Sequence, residues 1–268
     1  MDINGNVFVV TGAGNGIGRQ VALQLLREGA RVAGVDLNEA GLAETASLAA
    51  AGERFSVHAV NITDRDAVAA LPAQVIGAHG KVDGILNVAG VIQQFVKVID
   101  LPYAEIEKVM NVNFWGVVNV VKAFLPELVA RPAAAIVNVS SMGALAPVPG
   151  QAVYGASKAA VSLLTQALYA EFMGTNVAVT VVYPGAIGTN IAQNSGVSIA
   201  GAETADTQAA AAKTTSPEKA GAVIVEALRK GSYRATIGGD AAGLDKLSRF
   251  SPKRATEMIA GKMAALLG

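Results

Sequence analysis

The stretch Val7-Phe8-Val9-Val10-Thr11-Gly12-Ala13-Gly14-Asn15-Gly16-Ile17-Gly18 decides how the rest of the chain is read. An unbroken apolar run such as Val7–Val10 suits a short strand buried on both faces. The glycines that follow suit a tight turn from strand to helix. Glycine accepts positive φ, and without a Cβ it lets a phosphate come close to the backbone. Beyond the turn, Ile17, Val21, Leu25 and Leu26 share one helical face, and Gly29 stops the helix. A helix N-terminus offers free N–H groups and a partial positive charge, which suit a pyrophosphate. Strand, glycine turn and helix together make the context a dinucleotide site requires. Gly12, Asn15, Gly16, Ile17 and Gly18 are its expected floor.

Outward from this unit the chain alternates. Strands are expected at Arg31–Val35, Phe55–Val60, Val82–Val88, Ala134–Ser140, Val177–Tyr183 and Tyr233–Ile237. Helices are expected at Glu39–Ala51, after a cap at Thr63, at Tyr103–Val129, at Ala152–Met173 and from Ser216-Pro217-Glu218 to Gly231. Such alternation implies right-handed crossovers. The expected fold is α/β, a Rossmann-type doubly wound, seven-stranded parallel sheet with helices on both faces. No linker divides residues 1–268, so one domain is expected. Residues 188–215 are small and polar with little periodicity, and read as a substrate lid.

Composition narrows the classes. Hydrophobic residues make up 52% and charged residues 16% of 268, a globular balance. Twenty-one basic residues against twenty-one acidic ones leave no excess to draw nucleic acid or an anionic membrane. The absence of cysteine excludes disulfides and thiolate chemistry. The first apolar run is too short for a signal peptide, and the apolar window Val109–Leu125 is broken by Asn111, Asn113, Asn119 and Lys122. A cytoplasmic location with no membrane span is therefore expected. His58 and His79 read as structural, with no metal site.

Asp36 ends the second strand, about 20 residues past the glycine turn. A carboxylate there can accept from both adenosine ribose hydroxyls and would repel a 2′-phosphate. Leu37 and Asn15 supply no cation in its place. The expected cofactor is NAD (NADH).

Tyr154 and Lys158 stand one turn apart on one face of the helix from Ala152. Free tyrosine titrates near pH 10, too high for a base at neutral pH, and a neighbouring ammonium favours the phenolate. Such a phenol can take the proton of an alcohol as hydride leaves. Ser141, at the carboxyl end of the fifth strand, can hold the substrate oxygen beside it.

These motifs together resemble the short-chain dehydrogenase/reductase family. Its TGxxxGxG loop is matched by Thr11, Gly12, Gly16 and Gly18, and its YxxxK motif by Tyr154 and Lys158. Its serine falls on Ser141 and its helix asparagine on Asn113. The resemblance implies Tyr154 as acid/base, Lys158 on the nicotinamide ribose and lowering the tyrosine pKa, Ser141 orienting the substrate oxygen, and Asn113 supporting a proton-relaying water. Pro184, Gly185, Ile187 and Thr189 would hold the nicotinamide end. Two stretches depart from the family pattern. The motif closing the fourth strand reads Asn87-Val88-Ala89-Gly90, without its second asparagine, and the acid near adenine is replaced by Asn61, followed by Ile62. The Asn61 oxygen is expected to accept from the adenine amine instead. The family also implies a homotetramer packed through the two long helices.

Gln151 and Gln93 are candidate substrate contacts. No charged residue in these stretches is placed to clamp an anion, so a neutral secondary alcohol or ketone is expected. Two alternatives stay open. One is an NADPH-dependent 3-oxoacyl-thioester reductase, which Asp36 disfavours. The other is a non-catalytic dinucleotide sensor, which would not need Ser141, Tyr154 and Lys158 together.

Overall fold

The computed structural model describes residues 1–197 and 214–263. Seven strands, β1 Val7–Thr11, β2 Arg31–Asp36, β3 Phe55–Ala59, β4 Gly84–Asn87, β5 Ala134–Val139, β6 Val177–Pro184 and β7 Arg234–Ile237, form one parallel sheet in the order β3-β2-β1-β4-β5-β6-β7. The order reverses between β1 and β4, where a crevice opens at the strands' carboxyl ends.

Alternate residues of each strand feed opposite cores. Phe8, Val10 and Val137 pack with Leu25 of helix α1 (Gly16–Arg27), Leu42 of α2 (Glu39–Ala49) and Ile224 of the helix Pro217–Lys230. Val9, Val35, Ile85 and Ile136 pack on the other face with Leu71 of α3 (Arg65–His79), Phe124 and Val161. This explains the unbroken apolar run: neither face of β1 meets water.

The helical stretch 103–129 is continuous but not uniform. It runs as α4 (Tyr103–Met110), a π turn (Asn111–Trp115) and α5 (Gly116–Val129). By length and apolarity this stretch could cross a bilayer. In the fold, α5 packs on α3, β4 and β5. Helix α6 spans Ala152–Glu171, and a short α7 spans Ile191–Asn194. Asp64 caps α3, not Thr63, because the Asp64 carboxylate reaches the amides of both Asp66 and Ala67.

Helix α8 (Pro217–Lys230) starts at the expected Ser216 cap. Two further helices, α9 (Gly239–Phe250) and α10 (Pro252–Met263), follow β7 and were not expected from the sequence. Their apolar stripe is narrow. Leu244, Ala255 and Ile259 bury against Ala146, Met142, Leu145 and Val148, just beyond Ser141. Of the expected lid at 188–215, residues 198–213 lie outside the described residues.

Candidate active site

A cavity of about 420 Å³ opens at the crevice between β1 and β4. It brings together Gly12, Asn15, Gly16, Ile17, Gly18, Asp36, Asn61, Ile62, Ala89, Gly90 and Thr189 from the expected set. Its floor demands glycine. Gly12 sits at φ +72°, and a Cβ there would stand 2.9 Å from the Ala89 amide nitrogen. A Cβ on Gly18 would stand 2.1 Å from the Gly12 carbonyl oxygen. The loop is therefore packed as tightly as backbone allows, with the first-turn amides of α1 beginning at Gly16. These residues fit a dinucleotide pyrophosphate at a helix start.

The Asp36 carboxylate accepts from the amides of Gly14 and Asn38, both at 2.9 Å. Each oxygen retains capacity for one more donor, which leaves room for ribose hydroxyls. No lysine or arginine lines the cavity among the described residues. The Arg19 guanidinium near the loop is committed to the Gly14 carbonyl, the Thr45 hydroxyl and the Glu44 carboxylate.

Some expected contacts are placed elsewhere. The Asn61 Oδ1, expected to receive the adenine amine, already accepts the amide and hydroxyl of Thr63 and closes the turn before α3. Asn87 does not line the cavity; its amide donates to Asn138 Oδ1 at 2.8 Å inside the sheet. Thr189 lines the cavity, whereas Pro184, Gly185 and Ile187 do not. Leu37, Asn38, Val60, Val91, Val112, Ile191 and Asn194 do line it and were missed. Several are sequence neighbours of expected residues, which is the signal that could have found them.

None of the four expected catalytic residues lines the cavity, but Gly90, which does, lies directly beside two of them. A Cβ on Gly90 would lie 3.1 Å from Lys158 Nζ and 3.3 Å from Asn113 Oδ1, so a larger side chain there would crowd both atoms. Asn113 sits in the π turn and is fully buried. Its Oδ1 accepts from the Val91 amide, and its Nδ2 donates to the Val91 carbonyl and to Ser157 Oγ. π turns recur at functional sites because the widened turn re-aims a side chain. Lys158 Nζ donates to the Val139 carbonyl at 3.0 Å.

Ser141 hydrogen-bonds the Tyr154 phenol and accepts from the Gly143 amide at 3.1 Å. Burial pushes the phenol above its ordinary value, and the Ser141 bond offsets part of that. Burial also brings Lys158 down to about 8. The expected lowering of the Tyr154 pKa by the Lys158 ammonium is therefore not seen here: burial of the phenol dominates, and the ammonium is turned to Val139.

Gln93 and Gln151, expected at the substrate, are instead buried in a clamp. Gln93 Oε1 accepts the amides of Val153 and Tyr154, the first free donors of α6, and its Nε2 donates to the Gly150 carbonyl. Gln151 Nε2 donates to the Gln93 carbonyl at 2.7 Å. Polar side chains 0% and 3% exposed must satisfy their own hydrogen bonds first: Gln93 does so with both its oxygen and its nitrogen on the backbone, and Gln151 with its nitrogen, while Gln151 Oε1 is buried without a partner. His58 and His79 each share a hydrogen bond with Ser56 Oγ at 2.8 Å.

Glycine floor, helix start, terminal acid and the Ser141–Tyr154–Lys158 group define a nucleotide-dependent oxidoreductase class. The chain belongs to the short-chain dehydrogenase/reductase family: residues 6–199 match the family model for short chain dehydrogenase. It is 38% identical over 269 residues to the SadH protein of Mycobacterium tuberculosis, covering 97% of this chain and 96% of that one. It is 33% identical over 193 residues to the 3-oxoacyl-[acyl-carrier-protein] reductase FabG of Thermotoga maritima, covering 70% and 77%. A Burkholderia phymatum short-chain dehydrogenase/reductase solved in complex with NAD superposes with a TM-score of 0.84 at 26% identity, covering 96% of this chain and 97% of that one.

Proposed function

We propose that this protein is an NAD-dependent oxidoreductase that interconverts a neutral secondary alcohol and its ketone. One observation carries the reading. The Ser141–Tyr154 pair and the buried Lys158 stand beyond Gly90, at one end of a glycine-floored cavity whose lining, among the described residues, holds Asp36 and no lysine or arginine. Bound NAD would supply the hydride acceptor. Ser141 would hold the substrate oxygen, and Tyr154 would give its proton to the ketone oxygen as hydride arrives or, as the phenolate, take the hydroxyl proton as the carbinol hydride departs. Lys158 Nζ and Asn113 Oδ1 both lie beside Gly90 and would support a path by which a proton reaches or leaves Tyr154.

A second reading, reduction of 3-oxoacyl thioesters with NADPH, draws support from the FabG relative. Asp36 weighs against it, because a 2′-phosphate would meet a carboxylate.

A panel of secondary alcohols, ketones and acyl thioesters, followed by nicotinamide absorbance with NAD and NADP, separates the two. Tyr154→Phe is expected to lower turnover about 10³-fold while leaving NADH binding unchanged. Retained turnover in that variant would overturn the assigned proton role.

A further inference from the structure

We propose that Asp240, at the start of α9, is a positioning residue that holds the loop after β6 against the nicotinamide end of the cofactor site. The proposal rests on the cofactor reading above. The loop Gly185–Gly188 carries the chain from the end of β6 to Thr189, which lines the cavity. Its centre, Ala186, is held on both sides. The Ala186 carbonyl accepts from the Thr215 amide at 2.9 Å, and the Ala186 amide donates to Asp240 Oδ2 at 2.8 Å. Thr215 also accepts from the Gly188 amide, so one edge of the loop is a short backbone ladder and the other edge is a carboxylate.

An acid in the first turn of a helix ordinarily serves its own helix amides. Asp240 does not act that way here. Helix α9 has no side-chain cap, and the carboxylate reaches a residue 54 positions earlier in the chain. The packing around it is equally specific. A Cβ on Gly185 would stand 2.2 and 2.4 Å from the two carboxylate oxygens, and one on Gly238 would stand 2.4 Å from Oδ1. Gly238 also sits at φ +92°, a conformation that side-chain-bearing residues avoid. The carboxylate thus lies flush between two backbone segments that only glycine permits.

A loop can be ordered only by something that is itself fixed. Ala241 and Leu244 of α9 are buried, and Leu244 joins the apolar cluster that grips Met142–Val148, the segment directly after Ser141. One helix therefore touches both walls of the reacting centre: the serine loop through apolar packing and the post-β6 loop through a charge-assisted hydrogen bond. The cavity also holds Asp36 and Asn61 at its adenine half, and among the described residues no residue of α9 lines it.

That asymmetry gives the test. Calorimetric titration of NADH and of ADP-ribose, which lacks the nicotinamide, is carried out on the full chain and on Asp240→Ala and Asp240→Asn. Asp240→Ala is expected to weaken NADH about tenfold, the scale of one lost hydrogen bond to a charged acceptor, and to leave ADP-ribose unchanged. Unchanged ADP-ribose binding also reports an intact fold. Asp240→Asn keeps an oxygen that can accept from the Ala186 amide and is expected to restore most of the NADH affinity. Equal weakening of both ligands, no weakening of either, or an asparagine variant no better than alanine overturns the proposal. Wild-type protein that binds neither ligand overturns the cofactor reading and this proposal with it.

Discussion

At the residue scale, the placement of residues that sit at strand ends or share a helical face was legible before any coordinates. Asp36, Ser141, Tyr154 and Lys158 all converge on one end of the sheet. Positions whose role is set by what surrounds them were not. Gln93, Gln151 and Asn61 looked free in sequence because nothing local reveals which distant amide a side chain will satisfy. Two expectations belong here. Asp36→Ala should weaken NAD and improve NADP, shifting selectivity by about tenfold or more, read from kcat/KM with each cofactor. Unaltered selectivity would separate Asp36 from the ribose. The second concerns Lys158, whose folded pKa, about 8, lies below the unfolded value. Between the two, the unfolded chain binds the extra proton, so stability rises with pH. The cofactor-free protein should gain about 1.4 kcal/mol per pH unit once above that lower value and below the phenol's range. Urea midpoints at about pH 8 and pH 9.5 measure it. Lys158→Met should flatten the slope, and an identical slope in both proteins would contradict the assignment.

At the element scale, all seven strands were readable, the inner ones most directly because runs such as Val7–Val10 and Val177–Tyr183 are buried almost throughout, whereas the edge strands β3 and β7 are only part-buried. Helices α9 and α10 were not, since each buries only a few residues and is otherwise polar and exposed. The π turn at Asn111–Trp115 was equally hidden: its residues are ordinary helix formers, and the widening follows from Asn113 reaching Val91 in another segment. The Gln93 cap makes a prediction at this level. Gln93→Ala leaves the amides of Val153 and Tyr154 without their acceptor, which should cost about 1 kcal/mol and lower Tm by roughly 2–4 °C. Because the freed turn carries Tyr154, kcat should fall with the KM for NADH unchanged. A drop in thermal midpoint without a drop in kcat would show that the cap supports the fold alone.

At the scale of the whole molecule, α6 presents Ala152, Ala156, Ala159, Leu163 and Ala167 as an exposed row of small and apolar side chains, with Leu163 69% exposed. An exposed apolar stripe of this kind suits a partner helix. We propose that it packs against a second copy, as in the homotetramer the family resemblance implies. Light scattering after size exclusion should give four times the 27.1 kDa chain mass, and Leu163→Glu should give a smaller species. A monomeric wild-type protein would refute this. The opposite side of the same helix carries Tyr154 and Lys158, held by the Gln93 clamp and the Ser140–Lys158 hydrogen bond. If a sister subunit grips the back of that rod while the reacting groups occupy its front, little slack would remain between assembly and chemistry. Specific activity would then depend on how dilute the enzyme is, and an assay run far below the association range would understate what the molecule can do.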